Sequence, residues 1–193
     1  MLDKVLAFFS SEINAYLRSR TGDVSDIVVL SAIVNEEGKY ASDSDTVALN
    51  LINIEEDATF KEQLPDQVFK NGQHIVLEPR LKLNLFVMFA ANFKLYDQAL
   101  KYLSHIILYF QSHRVFTPDQ YPVLGNNDGD NIERLVVELQ RPDYDQLNQI
   151  WAYIGGKQLP SVIYKIKLVS IQDHTASEIR PPIQIITTNT REM

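Results

Sequence analysis

Three stretches of the chain repeat apolar residues at the 3.6-residue spacing of an amphipathic helix. The first covers residues 2–17 and is followed by Gly22, which favours a helix stop. The second covers residues 95–111, and the third starts at Pro142 and ends at Gly155. We expect the second helix to pack on a sheet through one apolar face, made of Tyr96, Ala99, Leu100, Leu103, Ile106, Ile107 and Phe110.

Five other stretches show the alternation or the continuous apolar runs of β-strands, at residues 27–34, 47–54, 81–91, 132–140 and 160–168. The first two are expected to pair antiparallel if the short loop between them closes a hairpin. The strand at 81–91 becomes apolar on both faces midway, which predicts a central position. The polar residues 55–78 predict a long surface excursion with a short strand at 74–77, and residues 116–131 predict a loop.

Composition limits the class of protein. The chain has 193 residues, of which 45% are hydrophobic and 22% charged, as expected of one soluble globular domain. It has no cysteine, which excludes disulfides and thiolate metal sites. No apolar run reaches the roughly 18 residues of a membrane-spanning helix, and the first residues do not fit a signal peptide. We therefore expect a cytoplasmic product with no membrane contact.

The net charge of −7 lies in one block of the chain. Residues 35–66 carry nine acidic side chains and two lysines, and the rest of the chain is neutral. Such a balance disfavours nucleic-acid binding, which needs a basic surface. The block is either a solvated face or an acidic surface for a basic partner, and in the second case the candidate contact residues are Glu55, Glu56 and Asp57.

Two further segments are candidates for partner contacts. Phe116 and Pro118 combine an aromatic residue with a rigid proline; the alternative interpretation is simple loop packing. Near the end of the chain, Ile183 and Ile185 belong to a β-prone stretch that could add a strand to a neighbour. The alternative is a tail that folds back on its own domain or frays.

Motifs of catalysis are missing from the sequence. It contains no HExxH, GxSxG, GxGxxG or P-loop pattern. The Asn/Asp/Gly-rich loop at 125–130 lacks the spacing and the flanking helix of an EF-hand. We therefore predict no catalytic residue, no cofactor and no metal site.

The residues that carry a family resemblance are 86–122 and 132–172, together with the first helix and the paired stretches at 27–54. The most specific pieces are residues 91–93, 115–118 and 147–164. Over residues 1–173 the chain resembles the tail terminator, or cap, proteins of contractile injection systems such as antifeeding prophage and Photorhabdus virulence cassettes. The tail at 174–193 has no counterpart in that pattern.

The resemblance implies an α/β fold in which about three α-helices pack on a mixed, largely antiparallel β-sheet. Beyond this domain, the sequence itself predicts an extended C-terminal tail. The resemblance also implies a homo-hexameric ring that ends inner-tube polymerisation and anchors the last sheath ring, with the inner tube protein and the sheath protein as partners. Assembly in the cytoplasm, and the lack of an active site, follow from the same resemblance. The alternatives are a baseplate or tube adaptor of the same particle, a stand-alone ligand-binding α/β module, and an enzyme.

Overall fold

The computed structural model describes residues 2–59, 66–70, 73–125, 132, 134–171 and 178–180, with side chains for 2–59, 76–125, 132 and 134–167. Its helices are α1 (Leu2–Thr21), α2 (Tyr96–Ser112) and α3 (Tyr144–Ile154), with a short 3-10 turn at Pro122–Leu124. Its strands are β1 (Val28–Leu30), β2 (Thr46–Glu56), β3 (Asp66–Lys70), β4 (Gln73–Leu77), β5 (Leu81–Asn92), β6 (Val115–Phe116), β7 (Leu135–Leu139), β8 (Ser161–Ile171) and β9 (Glu178–Arg180).

The main sheet has six strands in the order β1-β2-β5-β8-β7-β6. All neighbours are antiparallel except β1 and β2, so the mixed, largely antiparallel sheet expected from the sequence is confirmed. The central position predicted for β5 is also confirmed, because β2 and β8 flank it. Leu85, Val87 and Phe89 are buried on one face of this strand, and Met88 and Ala90 on the other.

The predicted hairpin between the first two strands is wrong. Val28 pairs with Val47 in parallel register, and β1 is only three residues long. The connection forms its own turn, in which the Asn35 amide donates to the Lys39 carbonyl at 2.8 Å, with a bridge between Val34 and Tyr40. That turn returns the chain to the starting end of β1, so β2 runs in the same direction.

One face of the sheet carries the larger core, covered by α1 and α2. The buried stripe of α2 differs from the predicted one, since Tyr96, Leu100 and Ile107 are exposed. In their place Tyr102 stacks on Phe93 at 5.0 Å, and Tyr109 packs against other rings. The buried face of α2 thus includes both tyrosines, and its buried residues are Ala99, Tyr102, Leu103, Ile106, Tyr109 and Phe110.

The opposite face is covered only in part, by α3. Trp151 is buried in a second cluster with Met88, Ala90, Ile163 and Ile33. The predicted apolar face of α3 is thus confirmed, and the remainder of this face of the sheet stays open to one side of the helix.

Strands β3 and β4 form a hairpin within the region predicted as a polar excursion. The short strand predicted at 74–77 corresponds to β4, whereas β3 was not predicted. Strand β9, which falls within the predicted tail at 174–193, pairs antiparallel with β4, with Ile179 opposite Ile75. The remainder of that tail, including Ile183 and Ile185, lies outside the described residues, and the domain boundary at residue 173 stays a prediction.

Candidate assembly surfaces

The acidic block of the sequence does not form one surface in the fold. Glu36, Glu37, Asp43 and Asp45 lie before the first residue of β2, and Glu55 and Glu56 are its last two residues. Because β2 has 11 residues, about 33 Å of extended chain separates the two groups. The first group is also partly neutralised, since Lys39 pairs with Glu37 at 2.8 Å and Lys94 lies 3.9 Å from Asp45.

Within the second group the three predicted contact residues differ in exposure. Glu55 and Glu56 are exposed, and the Asn53 amide donates to Glu55 Oε1 at 3.1 Å. Asp57 is only 7% exposed. Its carboxylate accepts from Asn84 Nδ2 at 3.0 Å and from the Thr59 amide at 2.9 Å, and its own amide donates to the Lys82 carbonyl. Asp57 therefore stabilises the end of the β2–β5 pair, whereas Glu55 and Glu56 are exposed to solvent.

Phe116 does not lie on the surface. It is fully buried at the outer edge of the sheet, with its ring edge-on to Phe9 at 5.1 Å and to Phe8 at 5.7 Å. Tyr121 closes the same aromatic cluster. The expectation of a partner contact at Phe116 is corrected, because burial in the chain's own core removes the ring from contact; Pro118 is half-buried beside it.

A cleft of about 680 Å³ opens where α3 leaves the sheet uncovered. We name it the α3 cleft. Its wall is the outer side of α3, its floor is formed by β2, β5 and β8, and Glu55 lies at its rim. The lining residues are Ile52, Asn53, Glu55, Phe86, Gln140, Arg141, Pro142, Gln146, Gln149, Ile150, Tyr153 and Ile163.

The floor of the α3 cleft is a cross-strand row of mixed character. Register places Asn53 opposite Phe86, and Phe86 opposite Lys165. The Lys165 ammonium lies 5.2 Å from the centre of the Phe86 ring, within cation–π distance. Beside it, Lys167 pairs with Glu138 at 2.6 Å. An apolar ring flanked by charges and amides suits a polypeptide contact.

Local signals in the sequence fix the wall of the cleft. Asp143 accepts from the Gln146 amide at 2.8 Å, and the Gln146 side chain accepts from the Asp143 amide, which forms a capping box. Gly155 ends the helix with φ 77°. A Cβ atom on Gly156 would lie 2.9 Å from a methyl group of Val34, so this glycine allows α3 to approach the loop after β1 closely.

Sequence reasoning identified only Glu55 among the residues of the α3 cleft. Gln146, Gln149 and Tyr153 were missed because they are ordinary polar-face residues of a helix until the fold places them above the sheet. The described residues contain no group of three or more His, Asp or Glu side chains arranged to hold a metal ion. Among the described helices, none has the length and apolarity to cross a membrane.

Comparisons with known proteins place this fold. A family model described as the Pvc16 N-terminal domain matches residues 4–185. The sheath/tube terminator of an extracellular contractile injection system, PVC, in its extended state matches with a TM-score of 0.64 at 14% identity, over 100% of this chain and 64% of that one. The tube-terminating cap of the anti-feeding prophage matches with a TM-score of 0.61 at 16% identity, over 92% of this chain and 58% of that one.

The chain thus spans about 64% and 58% of the lengths of these two structures. No curated protein sequence matches it. The match of the family model over nearly the whole chain confirms the family resemblance seen in the sequence, and the two solved structures confirm the α/β fold. The chain belongs to the family whose model is described as the Pvc16 N-terminal domain.

Proposed function

We propose that this protein is a structural component of the cap that terminates the tube of a contractile injection system. The observation that carries the proposal is the fold shared with a sheath/tube terminator over 100% of this chain and with a tube-terminating cap over 92% of it. The role is geometric and non-enzymatic, since a cap ends a polymer by presenting a last layer to which no further layer binds. It needs no cofactor, membrane or nucleic acid.

In this proposal, copies of the chain form a homo-hexameric ring at the distal end of the inner tube and anchor the last sheath ring. Closed rings use heterologous contacts, in which one patch of a subunit meets a different patch of the next. The fold offers separate surfaces for such contacts, with the α3 cleft on one face of the sheet and the exposed α2 side chains Tyr96, Leu100 and Ile107 on the other.

The ring can be tested by mass and by position. Six chains of 22.1 kDa give a species of about 130 kDa, which native mass spectrometry separates from a monomer. Removing the gene from its particle locus is expected to give tubes of uncontrolled length, and a gold-labelled copy is expected at the blunt end of the particle. A label at the baseplate, with normal tube length in the deletion strain, would favour the adaptor alternative instead.

The rim of the α3 cleft is the part of the acidic block that we assign to docking. Glu55 and Glu56 are exposed and adjacent, and acidic groups of this kind orient and accelerate the approach of a basic surface. The double substitution Glu55→Lys and Glu56→Lys is expected to weaken binding to tube or sheath, most at low salt. Asp57 is left unchanged in this test, because its burial would make a lysine destabilising.

The chain provides a matched control for that experiment. Glu36→Lys with Glu37→Lys changes the net charge by the same amount but lies before the first residue of β2. Docking is measured by co-sedimentation with assembled tubes over a salt series. Equal weakening by both pairs would show a general charge effect, and unchanged binding of the Glu55/Glu56 variant would rule out this rim as a docking surface.

The tail prediction needs a deletion that spares the fold. Because Glu178–Arg180 pairs with β4, the tail must be removed after Arg180. A chain that ends at residue 180 is expected to keep its circular dichroism spectrum but to lose contact with a neighbouring subunit or with the sheath through Ile183 and Ile185. Full assembly of the shortened chain would remove these residues from the interface.

A further inference from the structure

The two edges of the six-stranded sheet differ in how their outward backbone groups are hydrogen-bonded. At the β1 edge, α1 closes the backbone: Asn14 Oδ1 accepts from the amides of Ile27 and Val28, and Asn14 Nδ2 donates to the Val28 carbonyl. Ser10 adds a second donor to that carbonyl at 2.8 Å. The outward backbone groups of Val28 are therefore occupied by α1 and are not available to a further strand.

The opposite edge is left open along part of β7. The outermost strand, β6, pairs only with Leu135 and Val136, and the Arg114 carbonyl accepts from the Val137 amide at 2.8 Å. Beyond that point no described strand lies outside β7. Residues 138–141 therefore present an edge of the sheet that has no neighbouring strand among the described residues.

The hydrogen-bond pattern shows which backbone groups face outward. The Gln140 amide donates to the Ile163 carbonyl at 2.9 Å, directly after the last registered pair of β7 and β8, Leu139 opposite Tyr164. In an antiparallel pair such bonded positions alternate with unbonded ones. The N–H and C=O groups of Leu139 consequently point away from β8. Among the described residues, no further hydrogen bond uses these groups or the backbone groups of Arg141, which follows the end of β7.

A groove of about 550 Å³ follows this edge, and we name it the β7 edge groove. Side chains from both faces of β7 line it, which is the arrangement expected when the strand edge itself is the floor. Its apolar sides are Ile107, Val115 and Leu139, which are 42%, 46% and 49% exposed. Side chains above and below an open strand edge are what a further strand packs against.

The ends of the groove are basic. Arg114 and Arg141 line it, both are exposed, and neither guanidinium has an acidic partner in the described part of the chain. The one carboxylate in the lining, Glu138, is neutralised by Lys167 at 2.6 Å. Two free positive charges in a protein of net charge −7 favour an occupant with negative charges.

We propose that the β7 edge groove accepts an extended segment of a partner protein, which adds a strand to the sheet beside Leu139. The segment carries apolar residues at alternate positions and carboxylates near both ends. Backbone hydrogen bonds to Leu139 and Arg141 supply the register, and the two arginines select the charge. This site does not depend on the proposed cap role, since its test uses the isolated protein.

Short labelled peptides test the proposal directly. The probes are an acid-ended peptide with the sequence EVTVTVE, a base-ended KVTVTVK, and a form of the first with a proline in place of its central valine. We expect fluorescence anisotropy to show binding of the acid-ended peptide and at least about 10-fold weaker binding of the base-ended one. The proline form should not bind, because it lacks a backbone donor. Amide hydrogen exchange should slow at Leu139 and Arg141.

Variants of the chain distinguish the contribution of the two arginines to peptide binding from that of backbone hydrogen bonding. Arg114→Glu with Arg141→Glu is expected to reverse the preference, so that the base-ended peptide binds more tightly. Leu139→Pro removes the outward N–H and should abolish binding, whereas Leu139→Thr keeps it and serves as the matched control. If Leu139→Pro does not fold, the charge reversal alone decides the question.

Three results would overturn the proposal. One is equal binding of all three peptides, and another is unchanged preference in the doubly reversed variant. The third is tight binding of a peptide of residues 181–193 in the absence of binding by the acid-ended peptide, which would assign the groove to this chain's own tail.

Discussion

Asn14 closes the β1 edge of the sheet, and its replacement by alanine gives the most direct test of that arrangement. The side chain lies in the middle of α1, is only 4% exposed, and makes three hydrogen bonds to the backbone of residues 27 and 28, at 2.8–3.0 Å. Asn14→Ala removes all three bonds. The amides of Ile27 and Val28 then have no acceptor, whereas the Val28 carbonyl keeps the Ser10 hydroxyl.

The size of the effect follows from the two amides that lose their partner. Each buried donor left unsatisfied costs about 1–3 kcal/mol. Alanine has a better helix propensity than asparagine, which offsets at most about 0.7 kcal/mol of this loss of stability. Since two donors lose their acceptor, we expect the free energy of unfolding to fall by about 1–5 kcal/mol. Each kcal/mol lowers the melting temperature by about 2–4 °C in a domain of this size.

Ser10→Ala is the matched control. It removes one donor to the Val28 carbonyl, but this carbonyl still accepts a hydrogen bond from Asn14. We therefore expect the free energy of unfolding to fall by only about 0.5–1 kcal/mol. Urea unfolding followed by circular dichroism and by the fluorescence of the single tryptophan, Trp151, measures both variants. Amide hydrogen exchange should accelerate at Ile27 and Val28 in the Asn14 variant. A loss no greater than that of Ser10→Ala would refute the reasoning.

Three further variants test other parts of the fold. Phe116→Ala should lower the free energy of unfolding by about 3–5 kcal/mol, measured in urea, because it leaves a cavity in the aromatic cluster. The control Val115→Ala, at the exposed neighbouring residue, should change it little. Asp143→Ala should lower the free energy of unfolding by about 1 kcal/mol, because it removes the N-cap of α3. Asp145→Ala, in the first turn of the same helix, is the control and should cause a smaller loss. Burial raises the pKa of Tyr164 to about 12, so the folded chain holds this proton more tightly than the unfolded chain and loses stability as the pH rises from 10 to 12. Tyr164→Phe should reduce that loss, as measured by thermal unfolding over this pH range.

Much of the fold could be predicted from sequence because its signals are local. Helix α3 was expected between Pro142 and Gly155 and is found at Tyr144–Ile154, since a capping aspartate and a stop glycine act within one turn of the helix. The strands β2, β5 and β8 were expected from period-two alternation, which depends only on which face of a strand is buried.

The candidate surfaces could be predicted only in part. Glu55 was expected from the acidic block, but the other residues of the α3 cleft come from separate elements that tertiary packing brings together. Arg114 and Arg141 are distant in sequence, and their common groove depends on β6 ending after two residues. The acidic block of the sequence also does not predict one acidic surface, because the extended strand β2 separates the acidic residues before it from Glu55 and Glu56 at its end.

The sequence by itself determined the three helices, most of the strands and the family, because periodicity, capping residues and short motifs are properties of neighbouring residues. Only the tertiary structure decided that β1 runs parallel to β2, that Asn14 closes one edge of the sheet while β7 stays open at the other, and that Phe116 and Asp57 are buried. These features depend on contacts between residues far apart in the chain. The free energy of such contacts is set by the packing of the whole domain, and no local pattern encodes it.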